Sequence, residues 1–270
     1  MALNTCDVML EGRVVGVVVS EGGRANPMRS LDRAIDVLEV LEAARTPLRL
    51  SEVARRVGLH VATTQRILSA LEARHRVEQD HSGYRTGVGM LFGAHAYLAT
   101  NPVAVAAPLV LQQVASATGL TASVFVRAGD SRAVVARVEG THPLRYVLPI
   151  GQRLPLHIGA GKMLAAHMDE QELADLIDRV GDFNVADGRR VTAEEFRAEL
   201  AAIRARGWCF SSNERVVGTA SVAAPVFSTG DRCTTAIQVA GPAAVDAFVD
   251  PAALSVEVRQ AAAALAARLS

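Results

Sequence analysis

The chain has 270 residues, half of them apolar and 21% charged, with a formal net charge of zero. That balance excludes a disordered polyelectrolyte and leaves room for one large or two small folded domains. It also requires any affinity for nucleic acid to come from a local patch rather than from overall charge.

Cys6, Cys209 and Cys233 are scattered and form no CxxC pair, which argues against a disulfide framework and a thiolate zinc site and for a reducing compartment. No apolar run approaches the roughly 18 residues of a membrane span. Of the 28 basic residues 27 are Arg; Lys162 is the single Lys. Residues 1–28 lack the basic start and cleavage site of a signal peptide. Their valine-rich patch at 14–19 reads as a short strand or a disordered arm. The organised pattern begins at Met28, where translation would start in a third reading, so 1–28 is set apart as an N-terminal extension.

In residues 30–44, Leu31, Ile35, Leu38 and Leu41 recur at helical spacing, with Ser30 as the expected N-cap. Pro47 stops that helix and "LRL" is extended. Ser51 is expected to cap a second helix that turns Val53, Ala54 and Val57 inward and stops at Gly58. A third helix puts Ile67, Leu68 and Leu71 on one stripe and Thr64, Gln65 and Ser69 on the other. "RVEQD" and "YRTG" about the turn "HSG" read as a hairpin.

Two helices joined this tightly must cross, and residues 29–87 therefore predict a winged helix-turn-helix whose third helix enters a major groove. His60, Thr63, Thr64, Gln65 and Arg66 lie near the start of that helix. Gln65 has the amide geometry for adenine and Arg66 suits phosphate or guanine, while His81 and Arg85 sit in or beside the wing, where phosphates run. Ten Arg face eight acidic residues in this segment, a weak electrostatic signal. An interaction module without DNA would share the pattern, leaving Thr64 and Gln65 merely solvated.

Residues 88–105 carry the apolar stripe Met90, Leu91, Ala94, Tyr97 and Leu98, suited to a linker and dimerisation helix or to an ordinary core helix; Pro102 breaks the pattern, which resumes to Gly119. In residues 106–270, "TASVFVR" and "RAVVARVE" predict a hairpin and "LRYVL" a further strand. Helices follow, one capped by Asp169 with Glu172 and another by Thr192 with Glu195. "WCFSSNE", "TASVAAPVF" and "RCTTAIQVAG" are strands, the last two joined by "STGD". A final helix opens on Pro251 after Asp250. Together these predict an α+β fold with a largely antiparallel sheet and helices on its faces.

The "GAGK" turn at 159–162 fails as a phosphate loop, because Leu156 stands where a Gly is needed and Met163 where Ser or Thr is needed. Its backbone N–H groups are either a small-anion site or a plain strand-to-helix turn. No HxxxH and no GxSxG occurs, so neither a metal, a cofactor nor catalysis is expected. "SSNE" at 211–214 and Gln238, an amide inside an apolar strand, are the polar groups best placed to read a compact ligand.

Taken in order, "RAIDVLEVL", "LSEVARRVGL", "TTQRILSALE", "GYRTG", "RLPLHIGAGKMLAA", "RGWCFSSNERVVGTASVAAPVF" and "AIQVAGP" resemble the IclR (isocitrate lyase regulator) family of bacterial transcription factors over residues 29–268. The resemblance implies a winged helix-turn-helix, a linker helix and a GAF-like α+β effector domain. It further implies a double-stranded DNA operator, a small-molecule effector, a homodimer or tetramer, and a cytoplasmic protein without a membrane partner. By motif match the effector site would involve Gly159, Ala160, Ser212, Ala220, Val222, Gln238 and Ala240. Two departures stand out. Val61 and Ala62 occupy positions where the family usually has a basic residue and a serine, and the 157–161 segment is one residue shorter than usual. With Ala220, Val222 and Ala240 apolar and Lys162 and Arg145 as the nearby cations, the expected effector is a mostly apolar acid of aromatic type with one polar end. The expected function is a regulator whose operator affinity responds to that acid. The alternatives are a sensor or interaction module without DNA binding, and a small-molecule enzyme built on the α+β domain.

Overall fold

A computed structural model describes residues 5–10, 13–18, 28–142, 148–227 and 233–269. Arg145, most of "LRYVL" and the "STGD" turn lie outside these described residues. The chain divides into two compact units, 1–97 and 98–270.

In the first unit, strands β1 (Thr5–Leu10) and β2 (Arg13–Val18) pair as an antiparallel hairpin. Helices α1 (Arg29–Ala43), α2 (Leu50–Val57) and α3 (Val61–Glu72) follow, then a hairpin of β3 (Val77–Asp80) and β4 (Gly83–Thr86). Val37, Val40, Leu41, Leu48, Val53, Leu68, Val77 and Tyr84 form the core. The inward stripe of α1 is therefore 37, 40 and 41; Leu31 and Ile35, which share the predicted stripe, are exposed. Neither predicted serine caps its helix. α1 starts after Met28 and α2 after Arg49, with Ser30 and Ser51 already inside the first turns.

Gly58 ends α2 in the left-handed region at φ 66°, and its N–H and that of Leu59 close on the last turn. A residue with a Cβ is strained there, so glycine fixes the sharp angle at which α3 departs. The extended "LRL" is held by Leu48, which pairs with Tyr84 and adds a third edge to the wing.

Helix α4 (Gly89–Thr100) spans the division between the units. Asn101 then caps α5 (Pro102–Thr118), its side chain accepting from the Val103 and Ala104 amides.

The second unit is built on six strands: β5 (Thr121–Ala128), β6 (Ser131–Val138), β7 (Arg153–Pro155), β10 (Cys209–Ser212), β11 (Thr219–Val226) and β12 (Thr235–Pro242). They run antiparallel in the order β10-β11-β12-β5-β6-β7. Between β7 and β10 come α6 (Ala160–Ala165), α7 (Glu170–Val180), the small pair β8 (Phe183–Asn184) and β9 (Arg190–Val191), and α8 (Ala193–Arg206). Helix α9 (Pro251–Ala266) closes the chain.

Side chains alternate across a pleated strand, and the sheet accordingly has two cores. Val124, Val222, Ala224, Ile237 and Val239 face α5 and α9. Phe125, Val134, Ala223 and Ala236 face α6, α7 and α8. The Asp169 cap and the reciprocal Thr192–Glu195 capping box form as the sequence predicts.

Candidate functional site

Two surfaces hold the sequence-predicted residues, one in each unit. On α3, Val61, Ala62, Arg66, Ser69 and Ala70 are exposed, a single face by helical spacing. His60 is the exposed residue immediately before the helix and Thr63 is half-buried. Arg66 makes no ion pair among the described residues.

Thr64 is a correction. It is completely buried and its hydroxyl donates to the His60 carbonyl at 3.2 Å, so it braces the helix start instead of facing outward. The amide of Gln65 is engaged at both ends, accepting from Tyr84 Oη at 3.3 Å and donating to Ser69 Oγ at 3.4 Å. In the wing His81 is exposed, whereas Arg85 is gripped by Asp80 and by Glu78, the latter at 3.5 Å. The hydroxyl and amide of Ser82, with Arg85, hold the half-buried Asp80 carboxyl far below its usual range. Arg49 and Arg55, just before and in the last turn of α2, lie outside the sequence-predicted set, and both are exposed and without ion pairs among the described residues. Their place on the first helix of the crossed pair was the available signal.

In the second unit a small half-open cavity of about 30 Å³ lies on the α6 side of the sheet. Gly159, Ala220, Gln238 and Ala240 line it, together with Arg132, Leu148, Ser211, Glu214, Arg215, Thr219 and Ser221. Ala160, Ser212 and Val222 are outside the lining. Strand alternation is the reason: Ser211 pairs with Ser221 and faces α6, while Ser212 alternates with Ser211 and Val222 packs in the opposite core. Ala160 is fully buried in the α6 core. The lining is consequently more polar than the predicted set.

Lys162 does not reach the cavity. It is buried, 2.5 Å from Glu199 Oε1 and also bonded to Glu214 Oε1. Burial disfavours its charge, but neighbouring anionic groups (Cys209 when ionised, Glu214 and Glu199) more than offset this and keep the ammonium protonated. The other oxygen of Glu214 accepts from the Gly159 N–H at 2.9 Å. The amides of Gly161 and Lys162 are spent on Ile158 and Gly159. The "GAGK" turn therefore already holds a carboxylate of its own chain. Gly161 is required by close approach, since a Cβ there would lie 2.6 Å from the Leu156 backbone.

Two polar groups in the cavity remain open. Gln238 is 5% exposed and its Oε1 has no hydrogen-bond partner among the described residues, a cost of about 1–3 kcal/mol unless a ligand or water supplies a donor. Arg215 makes no ion pair among the described residues.

A crossed helix pair with unpaired arginines on its outer side, joined in one chain to a sheet domain with a polar cavity, defines a DNA-binding regulator with a ligand-sensing domain. Comparison with known proteins agrees. Residues 30–81 match the IclR helix-turn-helix domain, and residues 95–267 match the bacterial transcriptional regulator IclR C-terminal domain. The chain is 30% identical over 239 residues to the HTH-type transcriptional regulator BhcR of Paracoccus denitrificans (strain Pd 1222), covering 86% of this chain and 82% of that one. It is 28% identical to the transcriptional repressor IclR of Escherichia coli (strain K12), covering 80% of each. Among solved structures, an IclR homolog from Microbacterium hydrocarbonoxydans complexed with 4-hydroxybenzoate superposes with a TM-score of 0.69 at 20% identity, covering 89% of this chain and 98% of that one. The chain belongs to the IclR family of transcriptional regulators.

Proposed function

We propose that the cavity beside Gly159 binds a small carboxylic acid bearing a hydrogen-bond donor, and that binding changes the operator affinity of the helix-turn-helix unit. The open Gln238 Oε1 carries this reading: a nine-tenths-buried acceptor in a cavity asks for a donor from a ligand. Arg215 supplies the unpaired cation for a carboxylate at the same cavity. The homolog complexed with 4-hydroxybenzoate, an acid with a donor at its far end, supports the class. Serines, threonine and arginine in the lining favour a ligand with several polar contacts over the mostly apolar one that the sequence motifs imply. The effector acts only through its differential affinity for two arrangements of the protein.

His60, Thr63, Arg66, His81, Arg49 and Arg55 are the contacts we assign to DNA, with Gln65 and Arg85 available only where their present bonds are exchanged. Exposed Leu31, Ile35, Leu91 and Phe92 support pairing of two copies through the DNA-binding half, with further pairing into tetramers read by light scattering. The protein works in the cytoplasm and without turnover of its ligand; no single described helix is long and apolar enough to cross a membrane.

Fluorescence anisotropy on duplex DNA flanking the chain's own gene tests the reading, with 4-hydroxybenzoate, benzoate and short keto acids titrated in. The expected result is salt-dependent DNA binding that hydroxylated acids shift more than benzoate. Equal DNA affinity with and without every acid refutes the effector assignment. A sensor module without DNA binding is the second reading, favoured by exposed apolar Val61 and Ala62 where the family's pattern is polar; absence of binding to any duplex would establish it.

A further inference from the structure

We propose that this chain reads thymine methyl groups through Val61 and Ala62 at the outer end of α3, with Arg66 as the hydrogen-bonding reader on the same face and the phosphates left to Arg49 and Arg55 of α2. The proposal rests on the reading that α3 enters the major groove.

The two polar residues a sequence reader would assign to base edges are withdrawn: Thr64 is buried and bonded to His60, and the Gln65 amide is held by Tyr84 and Ser69. What remains at the first two positions of the outer face is alkyl and small. Val61 is 50% exposed as the first residue of the helix, and Ala62 beside it is exposed. Residues at that end of a recognition helix are the ones that meet base edges. In the major groove an alkyl group has one specific complement, the C5 methyl of thymine; the other base edges offer donors and acceptors that a valine would leave unsatisfied. An isopropyl group facing water thus favours thymine and disfavours the rest.

The chain also keeps its phosphate contacts away from the start of α3. Arg49 and Arg55 stand exposed on α2, the helix that crosses the backbone in this motif, and neither has an ion pair among the described residues. The wing contributes less, because Arg85 is already paired with Asp80 and Glu78. Arg66, one helical turn after Ala62 and unpaired, has the donors to take guanine O6 and N7 beside the methyl contacts.

The full-length protein is used to select duplexes from a random library, and each thymine of the selected half-site is then replaced by deoxyuridine, which removes only the methyl. Affinity is expected to fall about fourfold at each methyl read, the equivalent of unburying one methylene group. The fall should shrink to less than about twofold in Val61→Ser or Ala62→Gly, exposed changes that leave the core intact. A tight selected site in which deoxyuridine has no effect overturns this proposal while leaving DNA binding standing. A methyl effect that is unchanged in both variants overturns it as well, because the methyl is then read elsewhere. Failure to enrich any duplex overturns the proposal together with the groove reading beneath it.

Discussion

In the first unit three of the groups assigned to DNA, Arg49, Arg55 and Arg66, stand exposed without ion pairs among the described residues. In the second, one charge pair beside the cavity is locked: Lys162 and Glu214 are buried against each other, and Glu214 also holds the Gly159 amide. A solvated cation costs nothing to fold and can be exchanged without consequence for the core. A buried pair loses hydration on both sides, and removing one partner strands the other. DNA contacts in this chain should therefore be separable from stability, whereas the sensor cavity should not.

The sharpest way to break that contrast is Lys162→Ala. It leaves Glu214 buried without its cation, and the expected loss is about 3–5 kcal/mol of unfolding free energy, read by urea denaturation; a loss below about 1 kcal/mol would mean the pair is dispensable. Arg66→Ala is the counterpart. It should change stability by less than about 0.5 kcal/mol while weakening binding to a selected duplex by about 1–3 kcal/mol if it reads guanine. A phosphate role would instead lower the slope of log affinity against log salt by roughly one.

The next effect is in pH. Burial, with the nearby positive charge of Arg132, pulls the His157 pKa down to about 4 from 6.5. The unfolded chain then binds more protons than the folded one between those values, so stability rises with pH across the window and is lost as pH falls through it. The ring keeps some solvent contact, and the loss between pH 7 and pH 4 should be about 1–2 kcal/mol, below the full linkage value; His157→Gln should flatten that slope in thermal melts. Smallest is Thr192→Ala, which removes a capping box from α8 and should cost about 1 kcal/mol. A cost near zero would show that packing of Phe196 and Leu200 alone sets that helix start.

Local punctuation made much of the architecture legible. Gly58, the Asp169 and Thr192 caps, Pro102 and the Asp250–Pro251 start all stand where the sequence places them. Ser30 and Ser51 misled because the first turns of α1 and α2 begin one or two residues earlier, and tertiary packing overrides a capping preference of this size. The neighbouring of β12 with β5, more than a hundred residues apart, has no local signal at all. In the cavity, a one-residue offset in β10 and β11 exchanges every side chain across the sheet, which is why Ser211 and Ser221 line the space and Ser212 and Val222 do not. That Thr64 turns inward and Arg85 is engaged depends on neighbours brought together by the crossing of α2 and α3 and by the wing turn.

The burial of the chain's one lysine also decides how the protein can be handled. Amine-directed dyes and crosslinkers find no exposed lysine side chain on the folded molecule. Acylation of Lys162, read by peptide mapping apart from the α-amino group, thus becomes a clock for opening of the sheet unit, and immobilisation or crosslinking of the native protein goes through the α-amino group, carboxylates or arginines instead.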